Sequence, residues 1–177
     1  KLVHAGKISF IDLIDKLEKY FGIDENQTSS TNTDLGVYDV VVIGGGPAGV
    51  SAAIYSARKG LSTVMIAEKF GGQVQDTKGI ENLISVPYTE GPQLSADLAK
   101  HMSHYPIKTL EHRRVSHVNK ETKEVTLQSG EKLTGKAIII TTGAKWRELN
   151  IPGEKDYLGQ GVAYCPHCDG PFYKDKK

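Results

Sequence analysis

Tyr38-Asp39-Val40-Val41-Val42-Ile43 runs straight into Gly44-Gly45-Gly46-Pro47-Ala48-Gly49, and no other stretch of the chain restricts its fold so tightly. A continuous β-branched run is the pattern of a strand buried on both faces of a parallel sheet. Glycines spaced G-x-G-x-x-G directly behind it predict the turn of a dinucleotide-binding strand–turn–helix unit. Gly44 allows the tight turn, Gly46 lets the backbone approach a pyrophosphate, and Gly49 lets helix and strand pack closely while free amides and the helix dipole face the anion. Pro47 suits a first helical turn, Ala48 to Lys59 is rich in helix formers, and Gly60 can cap the end. Ser62 to Ala67 reads as the next strand. Glu68, 24 residues after Gly44, stands at that strand's end, where a carboxylate accepts hydrogen bonds from ribose hydroxyls. Strand, helix, second strand and acid together predict nucleotide binding in preference to a merely structural turn.

The motif does not choose between FAD and a nicotinamide dinucleotide, since both place an ADP half in such a crevice. Gly71-Gly72-Gln73 is a second glycine pair able to approach phosphate or ring. Glu81-Asn82 can offer an amide, and Thr142-Gly143-Ala144 follows a second apolar run, Ala137 to Thr141, that predicts another buried parallel strand.

The only two cysteines sit three positions apart, in Cys165-Pro166-His167-Cys168-Asp169-Gly170. A disulfide across so small a loop barely constrains the unfolded chain, so electron transfer explains the pair better than stability does. A thiolate is the species that attacks another disulfide. Asp169 is the nearest candidate acid/base for the accompanying proton, a role that requires its pKa to be raised toward neutrality. The rival reading is zinc, but a structural zinc site needs four ligands, often from two separated pairs, and no second cysteine pair exists. His101, His104, His112 and His117 fall on a predicted helix and solvent-facing strands and read as surface residues. His167 can tune thiol pKa or simply fill the turn.

Twenty-two basic residues against 21 acidic ones leave no global field to attract nucleic acid or an anionic membrane. There is no apolar run of membrane-spanning length, and the first residues lack a secretory pattern, so a cytoplasmic setting is the default. In a reducing compartment two cysteines read as redox chemistry before they read as a staple.

Residues 1–22 predict a helix capped at Ser9, with Phe10, Leu13, Ile14, Leu17 and Phe21 on one face and Gly22 at the stop. Its partner surface is not apparent, so this segment reads as the tail of a preceding domain. Residues 23–36 have linker composition. Residues 37–150 read as the nucleotide-binding domain, with a helix from Gly91 to about Tyr105 closed by Pro106, and short strands at Val115–Val118 and Glu124–Gln128 forming a small β-meander. Residues 151–177 read as a hinge and the dithiol-bearing start of a further domain. Trp146 can serve as a stacking platform or, better, as hinge packing; Lys145 and Arg147 read as a solvated face.

Taken together, Gly44 to Gly49, Glu68, Gly71-Gly72-Gln73, Thr142-Gly143-Ala144, Ile151-Pro152-Gly153-Glu154 and Cys165 to Gly170 resemble the low-molecular-weight thioredoxin reductase family in order and spacing. Phe70 to Gln73, Glu81 to Pro87, Lys145-Trp146-Arg147 and Pro166-His167 most resemble the branch of that family whose reductase part follows thioredoxin-like domains and serves hydroperoxide reduction. The resemblance implies an α/β, doubly wound, Rossmann-like FAD-binding domain. It implies FAD held by Gly44, Gly46, Pro47, Ala48, Gly49, Glu68, Lys69, Gly72, Gln73, Asn82, Val115, Thr142 and Gly143, and reduced by NADH or NADPH. Cys168 would contact the flavin, Cys165 would exchange with a disulfide of the thioredoxin-like N-terminal domain, and Asp169 would handle the proton. A peroxiredoxin-type peroxidase is the implied final acceptor and a homodimer the implied assembly. In that family the FAD domain is interrupted by the nicotinamide domain and resumes after it. The expectation is therefore that the 177 residues are part of a larger enzyme and do not turn over alone. A thioredoxin reductase serving free thioredoxin, and a non-catalytic nucleotide-binding fragment, are the alternatives.

Overall fold

The β-branched run forms the C-terminal half of β1 (Asp34–Ile43), which lies inside a six-stranded sheet. The computed structural model describes residues 8, 10–21, 33–145, 147–166 and 170–175. They divide into two compact units, Lys1–Gly143 and Ala144–Lys177.

The first unit contains α1 (Phe10–Phe21), β1, α2 (Pro47–Arg58), β2 (Thr63–Ala67), α3 (Gly91–Met102), β3 (Ile107–Glu111), β4 (Val115–Val118), β5 (Glu124–Leu127) and β6 (Lys132–Ile140), with sheet order β3-β2-β1-β6-β5-β4. The first four strands in that order are parallel, and β5 and β4 continue the sheet antiparallel as a meander.

Alternation along β1 and β2 sorts their side chains between two cores. Val40, Val42 and Met65 pack with Val50, Ala53 and Ile54 of α2 and Met102 of α3. Val41, Ile43, Val64 and Ile66 face the other way, against Val125 and Leu127 of β5 and Leu133 of β6. Helices therefore cover one face of the parallel strands and the meander covers the other. Removing each such side chain from water is worth about 1.5–3 kcal/mol, so β1 and β2 are held where their C-terminal ends must meet.

The spacing of α2 is legible in its burial. Val50, Ala53 and Ile54 recur at helical intervals on the sheet side, while Tyr55 is exposed. Pro47 is the first helical residue, Gly46 caps the start without a side chain, and Gly60, at φ +76°, follows the end. α3 stops at Met102 rather than near Tyr105. Tyr105 N donates to Met102 O at 3.0 Å, making a tight turn ahead of Pro106, which disfavours helical backbone at the residue before it.

β1 begins at Asp34, inside the stretch of linker composition, because Asp34 pairs with Lys132 of β6. β3, Ile-Lys-Thr-Leu-Glu, was not among the predicted strands; it pairs along its whole length with β2. β6 is parallel to β1 as expected but starts earlier, at Lys132, and its end is not buried. Ile139 and Ile140 are 36% and 68% exposed. The meander reaches only the first residues of β6, Lys132 to Thr134, so among the described residues β1 alone flanks its C-terminal half.

The second unit is built of turns, with a bridge between Leu158 and Val162 and a short 3-10 turn at Gly170–Tyr173. No helix among the described residues is long and apolar enough to cross a membrane.

Candidate functional site

Three glycine-bearing turns meet at the C-terminal ends of β1, β2 and β6. Gly44 N donates to Ile66 O at 2.8 Å, and Thr141, just past β6, donates both its amide (2.8 Å) and its hydroxyl (2.9 Å) to Ile43 O. The hydroxyl also lies 3.3 Å from Gly44 O. Gly44 has φ +121°, and a Cβ there would overlap the Thr141 carbonyl. A Cβ on Gly49 would overlap the Gly44 carbonyl. Both positions are therefore closed to other residues by backbone, which cannot swing aside as a side chain can.

The second glycine pair folds onto the first. Gly71 N donates to Gly45 O at 2.9 Å, and a Cβ on Gly72 would lie 3.3 Å from Gly46 Cα. Gly46 itself is different. The nearest atom to its missing Cβ is Gly71 O, 4.0 Å away, and nothing lies within 4 Å of a Cβ on Gly143. Backbone here is bare toward open space at the N-terminus of α2, whose cap has no side chain to satisfy the first-turn amides. Such a terminus favours an anion. The open cradle, the exposed amides and a carboxylate nearby fit the phosphates and ribose of a dinucleotide such as FAD.

Glu68, directly after β2, has side-chain exposure of 49% and accepts a hydrogen bond on Oε2 from Arg114 Nη2 at 2.8 Å. This bond is the main cause of a raised pKa for Arg114. Arg113 N reaches Ala67 O at 3.2 Å, which fixes the connection carrying Arg114 to the end of β2. Val115 is the first residue of β4. Lys69 is engaged by Asp76, Nζ to Oδ1 2.6 Å. Gln73 sits in the 3-10 turn Gly72–Asp76. Asn82 stands on an exposed loop closed by the bridges Ile80–Thr89 and Leu83–Val86; no described hydrogen bond joins it to the cradle.

Pro47 and Ala48 open α2 and are exposed; Thr142 and Gly143 are exposed behind Thr141. The structure thus gathers Gly44 to Gly49, Gly71, Gly72 and Thr141 into one contact network, with Thr142 and Gly143 following Thr141 in sequence. Thr141 and Arg114 were missed by sequence reasoning. A threonine ending an apolar run before Gly143 was a usable signal; Arg114 had no local signal, because its partner is 46 residues away.

In the second unit, Cys165 is disulfide-bonded. Cys168, Asp169, His167 and Trp146 lie outside the described residues. Among the described residues no group of three or more His, Cys, Asp and Glu side chains could hold a metal ion. Glu154, 4% exposed, accepts from Leu149 N at 2.9 Å, Asn150 N at 2.6 Å and the Tyr164 hydroxyl at 2.9 Å. The Leu149 amide bond, more than any other contact, holds its carboxyl below the usual range. Burial first, and then the bond to this carboxylate, pushes Tyr164 up. This clasp ties Leu149 and Asn150 to the residue preceding Cys165.

A family model described as pyridine nucleotide-disulphide oxidoreductase matches residues 38–177. Similar curated proteins include a Bacillus subtilis protein named NADH dehydrogenase, 45% identical over 173 residues, and an alkyl hydroperoxide reductase component of Pseudomonas putida, 44% identical over 176. Each match covers 97% of this chain but 33% of the relative, so the chain spans about a third of their length. Among solved structures, thioredoxin reductase from Streptococcus pyogenes is 36% identical with a TM-score of 0.67, over 78% of this chain and 46% of that one. The Lactococcus lactis thioredoxin reductase is 38% identical with a TM-score of 0.63, over 76% and 45%. The cradle's backbone geometry, the paired cysteines and the match over residues 38–177 converge: this chain belongs to the pyridine nucleotide-disulphide oxidoreductase family, flavin-dependent enzymes that bind FAD and a nicotinamide dinucleotide.

Proposed function

We propose that this chain is the flavin-seating and dithiol-bearing part of an enzyme that carries electrons from NADH or NADPH to a thioredoxin-like domain and then to a peroxidase that reduces hydroperoxides. The meeting of the three glycine turns at the ends of β1, β2 and β6, in one chain with a disulfide-bonded Cys165, is the observation that carries this reading. The family's FAD, when bound, accepts a hydride from the nicotinamide and supplies two electrons to a disulfide.

The residues divide the work. Gly46 and Gly143 offer bare backbone to the pyrophosphate, Gly44, Gly49, Gly71 and Gly72 let the turns close tightly enough to present it, and Glu68 accepts ribose hydroxyls. Reduction of the Cys165–Cys168 disulfide takes two electrons and two protons and gives two thiols. Attack of the Cys165 thiolate on a partner disulfide forms a mixed disulfide, which Cys168 resolves, returning the pair to its oxidised form and leaving the partner as a dithiol. Asp169 holds and moves the proton. The alkyl hydroperoxide reductase component of Pseudomonas putida, at 44% identity, supports the peroxidase as destination; the likeness to thioredoxin reductases supports free thioredoxin as the second reading.

The decisive experiment uses the full-length protein. It should purify with, or take up, FAD, and anaerobic NADH or NADPH should bleach the flavin. Cys165→Ser should abolish disulfide reduction while leaving that bleaching intact. Hydroperoxide consumption with a peroxiredoxin, and failure to reduce free thioredoxin, decides between the two destinations. A full-length protein that binds no flavin, or a Cys165→Ser variant with wild-type disulfide reduction, overturns the proposal.

A further inference from the structure

Glu68 does not stand alone at the ribose position. Arg114 Nη2 lies 2.8 Å from Glu68 Oε2 and 3.5 Å from Asp12 Oδ1 of α1. One guanidinium thus faces two carboxylates, which without it would repel each other. Arg114 is positioned by backbone as well as by its own reach, because the neighbouring Arg113 amide is bonded to Ala67 O, the last carbonyl of β2. Glu68 is the next residue along. The two side chains therefore emerge from connections that are fixed to each other.

A carboxylate left to itself at 49% exposure would sample several rotamers, each with a different direction of its lone pairs, and ordering it would cost affinity. The guanidinium occupies Oε2, and no described hydrogen bond goes to Oε1. We propose that Arg114 is a positioning residue for dinucleotide binding: by holding one oxygen of Glu68 it aims the other at the adenosine ribose hydroxyls. This rests on the reading of Glu68 given above. Asp12 shares the same cation and draws on it from the side of α1, so it weakens rather than creates the grip on Glu68.

The test is ribose-specific binding to the flavin-free full-length protein. FAD affinity is read from quenching of flavin fluorescence, and ADP and 2′-deoxy-ADP are compared as competitors. Arg114→Met should weaken FAD binding by about tenfold, the scale of one charge-assisted bond discounted for partial exposure, and should shrink the preference for ADP over 2′-deoxy-ADP toward unity. Arg114→Lys should restore part of both. A residue that merely stabilised the fold would weaken both competitors equally, so an unchanged ADP preference in Arg114→Met overturns the proposal. If Arg114→Met does not fold, Arg114→Lys decides: it should lose part of the preference, and full retention overturns the proposal. Asp12→Asn should bind FAD as tightly as the unaltered protein or more tightly; a loss as large as that of Arg114→Met also overturns it. Glu68→Gln separates the two readings. If it alone weakens FAD binding, the positioning role fails and the ribose role stands; if it has no effect, the reading of Glu68 itself fails.

Discussion

The two units are held together by opposite means. In Lys1–Gly143 the buried residues are overwhelmingly apolar, with Val41, Val42, Val64, Met65 and Leu133 all at 1% exposure or less. In Ala144–Lys177 the one buried residue among those described is Glu154, while Leu149, Ile151, Tyr157 and Leu158 are at least half exposed. A β-α-β core can position a nucleotide cradle by burial, which is non-directional and large. A short run of turns cannot enclose enough surface for that. It uses directional bonds to a carboxylate instead, and these are strong when complete and easily lost.

The largest effect should follow from deleting apolar volume in the first unit. Leu133 sits between the meander and β1, fully buried. Leu133→Ala should cost about 2–5 kcal/mol by lost transfer energy and a residual cavity, read from urea unfolding. A cost of no more than about 0.5 kcal/mol, that of an exposed site, would mean that this core is not what holds the sheet.

The core of the first unit was legible because its signals are local. Tyr38 to Ile43, the glycine turn and the helix-forming run from Ala48 to Lys59 each declare themselves within about a dozen residues. β3 was not legible, since Ile107 to Glu111 places its two apolar residues three apart, off the two-residue period of a strand, and becomes a strand only by pairing with β2. The first half of β6 was hidden by Lys132 and Gly135 for the same reason. At the candidate site the glycines could be named from spacing alone, whereas Arg114 and Thr141 act across 46 and 98 residues of sequence. Glu154 reads in the sequence as part of a connection. Its role depends on three donors converging from Leu149, Asn150 and Tyr164, which no one-dimensional pattern encodes.

Glu154→Gln tests the polar half of the comparison. Glutamine keeps the shape but replaces one accepting oxygen with an NH2 donor, so at least one of the three bonds must break and a buried donor is left facing a donor. Hydrogen exchange at the Leu149 and Asn150 amides should accelerate by about tenfold, the effect of one lost bond, while Val41 and Val64 keep their protection. Unchanged exchange at both amides would show that the clasp does not hold Leu149 and Asn150. The pH dependence has a definite sign. Because the folded carboxyl lies below its ordinary value of 4.5, its stabilisation is present above that value and fades as pH falls through the folded one. Protection at Leu149 should follow that course and be flat with pH in Glu154→Gln.

A smaller acid effect is expected in the first unit. Asp39 of β1 takes an ion pair from Lys136 of β6 at 2.7 Å, and its other oxygen accepts from Ser62 N and Oγ. The Lys136 bond first, then those of Ser62, brings its pKa from 3.8 down to about 2. The stability this contributes is complete above 3.8 and is lost as pH falls toward 2. Asp39→Asn should flatten the urea midpoint over that window by lowering it modestly above pH 3.8, where the paired carboxylate contributes its solvent-screened share, and should match the unaltered protein near pH 2. An equally steep acid loss in the variant would assign the titration to other carboxylates.

The smallest effect should come from the same kind of change as the largest, made in the other unit. Ile151 is 57% exposed and lies between the Asn150 amide that Glu154 binds and Pro152. Truncating it removes apolar atoms that water already touches, leaves no cavity, and keeps the backbone donors in place. Ile151→Ala should therefore change stability by no more than about 0.5 kcal/mol, the usual range for surface substitutions, and should not alter exchange at Leu149. A loss approaching that of Leu133→Ala would break the comparison outright. It would mean that the apolar side chains of the second unit are covered in the folded protein and that burial, rather than the carboxylate, organises this unit.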